Sequence, residues 1–386
     1  MSRPTLRVAL FTGNYNYTRD GATQALNRLV DYLQDVAGAK VRVYAPTTPE
    51  PAIEPNGEII SIPSIGLPGR PEYRLGLGLT PAARQDVVRF APDVVHLSTP
   101  DVLGFQAQRL ARQLGLPVVA SLHTRFETYL DYYGLGWLGP LVEARLNTFY
   151  RQCDYVLAPS HPIADELARN GMAGRARVWS RGVDRELFDP ARRDARWRRA
   201  QGLGDDDVVV LFFGRVVLEK GLAQFADAVD RLRARRPNVR ALVVGDGPAR
   251  PWLAQRLPHA VFTGQLSGAA LARAVASADV LLNPSVTEAF GNVNVEAMAS
   301  GVPVVCADVV NSRLIVDHGS TGLLCPPGDA AAYAAAIESL IADPGRRLGM
   351  GLAARMASAR FSWSAALQSV VDVYREALAD RPGVAA

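Results

Sequence analysis

Short apolar runs alternate with amphipathic stretches along most of the chain, and the two periods predict strands and helices in turn. Residues 6–12, 41–45, 93–97, 118–123 and 153–160 are compact runs with Val, Leu or Ala at their centres, and 178–181 reads as a final strand of this half. Unbroken apolarity over about four to eight residues suits strands buried on both faces of a parallel sheet. A shorter strand is expected at 59–62. Ala25, Leu26, Leu29, Val30 and Leu33 share one face of a helix, and further helices are expected over 141–150 and 163–170. Ser160 or His161 would cap the second of these ahead of Pro162. The alternation restarts at 208–213 and runs through strands at 241–244, 260–266, 280–282 and 303–305. The segment 319–329 closes this second set. Helices at 330–342 and 344–360 follow, then a last one reaching 378.

The stretch 278–305 organises the second half. A buried strand ends at a turn opened by Asn283-Pro284, and a short helix follows with Val293, Val295, Ala297 and Met298 as its apolar positions. Gly301 suits that helix's C′ position. Glu288 lies in the loop before the helix and Glu296 about two turns inside it. Between them, Phe290-Gly291-Asn292-Val293 would present backbone N–H groups at a helix N-terminus, a seat for an anion. Two carboxylates beside an anion seat, at the carboxyl end of a strand, suit a ligand carrying both phosphate and hydroxyls. A nucleotide sugar is such a ligand.

A length of 386 residues suits two α/β domains better than one core. Hydrophobic residues make up 48% and charged ones 21%, a globular balance that excludes disorder. Cys153, Cys306 and Cys325 are widely spaced, with no CxxC; they read as buried reduced thiols, which points to a reducing cytoplasm. No leader is evident in the first residues, and no apolar run approaches the roughly 20 residues a membrane span needs. Lys40 and Lys220 are the two lysines among 42 basic residues. Arginine being the default cation, Lys220 stands out as a compact phosphate-binding ammonium.

Lys220 lies five residues after Arg215 in a loop that follows a strand, bracketed by Gly214 and Gly221. Two cations there form a clamp for a diphosphate whose charge grows as its glycosidic bond breaks. Gly245 and Gly247, in the tight turn after the next strand, are expected to let backbone approach the nucleotide. In the first half, His123 sits at a strand's carboxyl end beside Arg125 and Glu127. The aromatic run Phe126, Tyr129, Tyr132, Tyr133 and Trp137 after it reads either as an acceptor wall or as core. The segment 65–79 is apolar, basic and rich in Gly and Pro, so it is either a packed connection or a rim that meets a lipid surface.

Several chemistries are excluded. The opening strand–loop–helix lacks G-x-G-x-x-G, against a dinucleotide domain. Ser160, His161 and Asp165 have no G-x-S-x-G elbow, against a hydrolase. The basic run 191–199 is followed by Asp205-Asp206-Asp207 and reads as a solvated linker helix rather than a nucleic-acid site. The acidic triplet precedes its strand instead of following it, so no metal is expected.

Glu288, seven residues and Glu296, with Phe290-Gly291 between and Ala-Met-Ala-Ser-Gly-Val-Pro-Val-Val following, resemble the signature of glycosyltransferase family 4. The resemblance implies a GT-B fold: two Rossmann-like α/β/α domains facing across a cleft, with a C-terminal helix crossing back to the first. Domains are then expected at 1–182 (acceptor-binding) and 183–360 (donor-binding), with 361–386 returning to the first. It also implies retaining transfer of a hexose from GDP-mannose or a UDP-hexose to a lipid or glycan acceptor. The enzyme would work without metal or cofactor, at an anionic membrane's cytoplasmic face, with no nucleic-acid partner. In that family a His-Thr pair faces the donor sugar, which assigns His123. Arg215, Lys220 and the amides at 291–293 would hold the diphosphate, Glu288 the sugar hydroxyls and Glu296 the ribose. Gly214, Gly245, Gly247 and Phe290 would flank the donor. Asp20-Gly21 stands where the family carries paired glycines, and Arg125, Glu127, Tyr129 and Tyr133 would meet the acceptor. A sugar-nucleotide epimerase shares this layout and is the competing class.

Overall fold

A computed structural model describes residues 5–17, 20–67, 70–123, 136–171 and 175–380, the side chains of 67 and 70–73 excepted. By backbone contacts the chain forms two units. One comprises the described residues as far as Arg181 together with those from Ser364 onward; the other is Gly182–Trp363.

The first unit opens with β1 (Arg7–Phe11), α1 (Gly21–Asp35), β2 (Lys40–Ala45) and β3 (Glu58–Ser61), then a hairpin of β4 (Ser64–Leu67) and β5 (Arg70–Gly76). After α2 (Pro81–Phe90) come β6 (Val94–Leu97), α3 (Val102–Gln113), β7 (Val118–Ser121), α4 (Gly139–Arg151), β8 (Tyr155–Ala158), α5 (His161–Arg169) and β9 (Ala176–Val178). The main sheet has the order β3-β2-β1-β6-β7-β8-β9, all of it parallel. Strands β6, β7 and β8 are buried at every position, which explains why they read as unbroken apolar runs. The strand order reverses at the β1–β6 pair.

The second unit contains α6 (Ala195–Ala200), β10 (Val208–Phe213), α7 (Leu222–Arg233), β11 (Val239–Val244), α8 (Arg250–Arg256), β12 (Val261–Gly264), α9 (Gly268–Ala276) and β13 (Val280–Asn283). It continues with α10 (Asn292–Ala299), β14 (Val304–Ala307), α11 (Val310–Arg313), β15 (Gly322–Cys325), α12 (Ala330–Ala342) and α13 (Pro344–Ala357). Its parallel sheet runs β12-β11-β10-β13-β14-β15 and reverses at β10–β13. Two apolar layers sandwich it, one led by Phe212, Phe225, Tyr333 and Ile337, the other by Leu211, Val295, Met298 and Ile315.

The last helix, α14 (Trp363–Ala379), belongs to the first unit from its second residue on. It buries Ala366, Leu367, Val370, Val371, Val373, Tyr374 and Ala377, a stripe with the helical repeat. Polar contacts fix its register. Tyr32 donates to Gln368 (2.8 Å), Arg177 pairs with Glu376 (2.9 Å), and Tyr155 donates to Asp380 (2.7 Å).

One expectation needs correction. The segment 65–79 is no irregular connection, since most of it pairs as the antiparallel β4–β5 ribbon. The basic run is mostly exposed and partly helical, as a solvated linker helix would be, but it is anchored at two arginines. Arg198 is buried, donating to the carbonyls of Ser277 and Asp207 and pairing with Asp279 at 3.1 Å, while Arg193 reaches Asp279 at 2.7 Å. One carboxylate at the foot of β13 therefore holds two of the arginines, which sequence spacing does not show. The three cysteines are free thiols, Cys306 and Cys325 fully buried, and no helix among the described residues is long and apolar enough to cross a membrane.

Candidate functional site

In the second unit the loops leaving β10 and β13, the two strands at the reversal, hold the expected charged residues. The carboxyl ends of such a pair splay apart and leave a crevice between their loops, the usual ligand position in open α/β sheets. After β10 the chain runs Gly214-Arg215-Val216-Val217, makes a single 3-10 turn at Leu218–Lys220, and enters α7 through Gly221. After β13 it crosses Pro284–Phe290 and enters α10 through Gly291.

The two loops are joined. Lys220 Nζ lies 2.6 Å from Glu288 Oε1, with both side chains less than one-fifth exposed. Burial on that scale weakens screening by salt, so this pair is less salt-sensitive than a surface bridge. Thr287 donates to the Glu219 carbonyl (3.1 Å), and Asn311 Nδ2 donates to the Glu288 carbonyl (2.7 Å). The backbone on either side of the ion pair is thus pinned. Arg215 lies 3.7 Å from the carboxylate of Glu219, which is 2% exposed. Glu219 was not among the residues singled out from sequence. An acid beside a loop lysine looks like surface charge, and its burial comes from the fold.

Gly291 adopts φ +106, a conformation open to glycine, and starts α10 with no side-chain cap. The helix N-terminus at Asn292 and Val293 therefore keeps its backbone donors clear of capping side chains. Behind it, Asn283 Nδ2 donates to Asn294 Oδ1 (2.9 Å), tying the helix to the end of β13. Phe290 packs edge-on against Phe361, ring centroids 5.8 Å apart. Glu296 is half-buried in α10, one turn from its start rather than two, because the helix begins at Asn292.

Gly214 faces α10: a Cβ there would meet Val293 Cγ1 at 3.9 Å and nothing closer. Gly245 and Gly247 have another reason to be glycine. A Cβ at Gly245 would lie 1.9 Å from the Gly214 carbonyl oxygen, and one at Gly247 2.4 Å from that of Val216. Their bare faces are filled by the neighbouring loop's main chain, whose Val216 N–H donates to the Asp246 carbonyl (2.9 Å).

In the first unit, Gly21 is the first residue of α1, and Asp20 caps that helix by accepting from Thr23 N–H (2.8 Å). Arg125, Glu127, Tyr129 and Tyr133 lie outside the described residues. His123, two residues beyond β7, has both ring nitrogens engaged: Nδ1 with Arg181 Nη2 (2.7 Å) and Nε2 with Ser121 Oγ (2.8 Å). Ser121 Oγ also meets Nε2 of the fully buried His96 (2.8 Å), whose Nδ1 meets Tyr374 Oη at 2.5 Å. Trp179 packs edge-on against both imidazoles. Desolvation holds the His123 pKa well below the usual histidine range, helped by the Arg181 charge. Burial takes His96 down to about 3 and Arg181 down to about 10. Both histidines are neutral at pH 7. His96, Ser121, Arg181 and Tyr374 carry no motif; local sequence gave no signal for them.

The architecture is that of GT-B enzymes. The solved sucrose-phosphate synthase of Thermosynechococcus elongatus matches with a TM-score of 0.75 at 24% identity, over 97% of this chain and 100% of that one. Residues 19–187 match the model described as Glycosyltransferase Family 4, and residues 207–343 match Glycosyl transferases group 1. A GDP-mannose-dependent alpha-mannosyltransferase of Mycolicibacterium smegmatis is 36% identical over 97% of this chain and 99% of its own. The sulfoquinovosyl transferase SQD2 of Arabidopsis thaliana is 32% identical over 96% of this chain and 73% of its own. The chain belongs to glycosyltransferase family 4.

Proposed function

We propose that the protein transfers a hexose from a nucleoside diphosphate sugar to a lipid or glycan hydroxyl with retention at the anomeric carbon, and that GDP-mannose is its donor. The observation that carries this reading is the Lys220–Glu288 pair, which joins the loop that carries Arg215 to the loop that leads into the uncapped start of α10. An ammonium has three donors; one reaches Glu288, and the others suit phosphate oxygens. The α10 amides and Arg215 suit the same diphosphate, Glu288 the sugar hydroxyls, Glu296 the ribose and His123 the sugar edge. GDP-mannose is favoured by the name of the relative that matches over nearly both full lengths.

In the proposed reaction the bond from C1 to the phosphate oxygen breaks, and the acceptor oxygen bonds to C1 on the same face. Its proton passes to the departing phosphate. The cations stabilise the charge growing on that phosphate, the role a metal would otherwise fill. A lipid acceptor at an anionic membrane's cytoplasmic face is supported by exposed apolar side chains on the first unit, Ile65, Leu77, Trp137 and Leu141, and by a sequence pI near 9.

A thermal-shift panel of GDP- and UDP-hexoses tests the donor, since a ligand that binds the folded state raises Tm by mass action. GDP-mannose should give the largest rise. Proton NMR of the product should show the donor's anomeric configuration, and EDTA should leave turnover unchanged. An inverted product would overturn retention, and a Tm that no sugar nucleotide moves would overturn the whole reading.

A further inference from the structure

Four side chains in the first unit form a single file that ends on His123. It begins at Tyr374 on the last helix and passes through His96 of β6 and Ser121 of β7, each link 2.5 to 2.8 Å long. On the other side of the imidazole stands Arg181, 2.7 Å from Nδ1. Tyr374, His96 and Ser121 are fully buried and Arg181 nearly so, while His123 at the end of the file is partly buried.

The chemistry of the partners fixes its direction at one end. A guanidinium only donates, so His123 Nδ1 accepts. A neutral imidazole carries one N–H, which must then sit on Nε2 and donate to Ser121 Oγ. The serine hydroxyl can pass its own proton on to His96 Nε2. His96 then holds its N–H on Nδ1 and donates to the Tyr374 oxygen. Every link points the same way, from Arg181 towards the last helix, the arrangement in which successive hydrogen bonds polarise one another. The Trp179 ring lies edge-on to both imidazoles.

We propose that Tyr374 is a positioning residue for His123, setting through His96 and Ser121 the tautomer and angle at which that ring is presented. This rests on the reading that places His123 at the donor sugar. Residues 363–380 thereby do more than cover the sheet: they supply the terminal acceptor of a relay whose other end is a candidate active-site group. Without the Tyr374 hydroxyl, His96 has Ser121 as its remaining partner in the file. Its proton moves to Nε2, Ser121 becomes an acceptor from both rings, and the His123 Nε2–H bond weakens.

The test is two-dimensional NMR of ring nitrogens in the full chain labelled with 15N-histidine. With five histidines in the sequence, assignment by single substitution is practical. The unsubstituted protein should show His123 as the neutral Nε2–H form and His96 as the neutral Nδ1–H form. Tyr374→Phe, which keeps the ring and the packing, should switch His96 to Nε2–H and shift the His123 Nε2 resonance. Ser121→Ala should shift His123 while leaving His96 bonded to Tyr374, and Ser121→Thr should restore the original spectrum. Turnover should fall by about 3- to 10-fold in Tyr374→Phe and further in Ser121→Ala, with KM for the donor little changed. A His123 found as Nδ1–H, or unmoved in both variants, overturns the proposal whatever happens to turnover. A shifted spectrum with full turnover overturns the positioning role. If instead the unsubstituted protein transfers no sugar from any nucleotide sugar, the glycosyl-transfer reading falls while the spectrum still judges the relay.

Discussion

Lys220 and Glu288 are the side chains on which the proposed chemistry depends most. Lys220→Ala removes a donor that acts on charge developing at the leaving phosphate, so kcat should drop by about 30- to 1000-fold, or about 2–4 kcal/mol of barrier. Donor affinity measured by calorimetry should change much less. An equal loss in both would mean that Lys220 binds ground state and transition state alike. The buried histidines make a different statement. His96 titrates near 3 in the folded protein, whereas an unfolded histidine titrates near 6.5. Between those values the unfolded chain binds the extra proton, so stability is complete above about pH 6.5 and falls as the pH drops below it. His123, lowered for the same reason, acts in the same direction. His96 contributes about 1.4 kcal/mol per pH unit within that window. Urea midpoints at pH 7, 6 and 5 should fall more steeply for the unsubstituted protein than for His96→Asn. Lys220, Glu288 and the Phe290–Val293 helix start were legible because they occur within a few residues of strand ends. The His96–Tyr374 bond spans 278 positions, and neither residue has a neighbour in sequence that hints at the other.

At the scale of elements, the two turns that follow β10 and β11 are built as one piece. Gly245 holds φ +145 with its bare face against the Gly214 carbonyl. Gly245→Ala combines an unfavourable backbone conformation with a clash against main chain that cannot swing away. It should cost at least about 2–3 kcal/mol, seen as a lower Tm, and should also reduce the Tm rise given by donor. Strands such as β8 and β10 declared themselves in the sequence through continuous apolarity, since both their faces are covered. The β4–β5 ribbon did not, because its Gly- and Pro-rich run resembles a loop and Ile65 and Leu75 remain exposed. Helices α2 and α3 carried readable starts, with Thr80 and Asp101 each accepting a backbone N–H in the first turn. The buried face of α2 is too narrow to stand out by period alone, three residues, Ala83, Val87 and Phe90, and that of α3 includes Gly104 and Gln108, which do not read as apolar.

At the scale of the whole chain, α14 has no apolar stripe to spare. Leu367, nearly fully buried on the first unit, should cost about 2–4 kcal/mol when changed to Ala. The loss should show in the denaturation of the first unit, followed by hydrogen exchange at β6–β8, and leave protection in β10 and β13 unchanged. Equal loss in both sheets would show that the two units unfold as one. Sequence patterning was enough to anticipate a final helix and two sheets. The residues that moor this helix, Tyr32, Arg177 and Tyr155, come from three separate elements and could be found only in the folded molecule.

That mooring has a consequence for biosynthesis. The first sheet is translated early, yet the helix that packs on it follows the described residues of the second unit, Gly182–Trp363. A ribosome therefore displays a nascent molecule whose later half can mature before its earlier half. The surface that Val370 and Tyr374 cover stays open until those residues have been made.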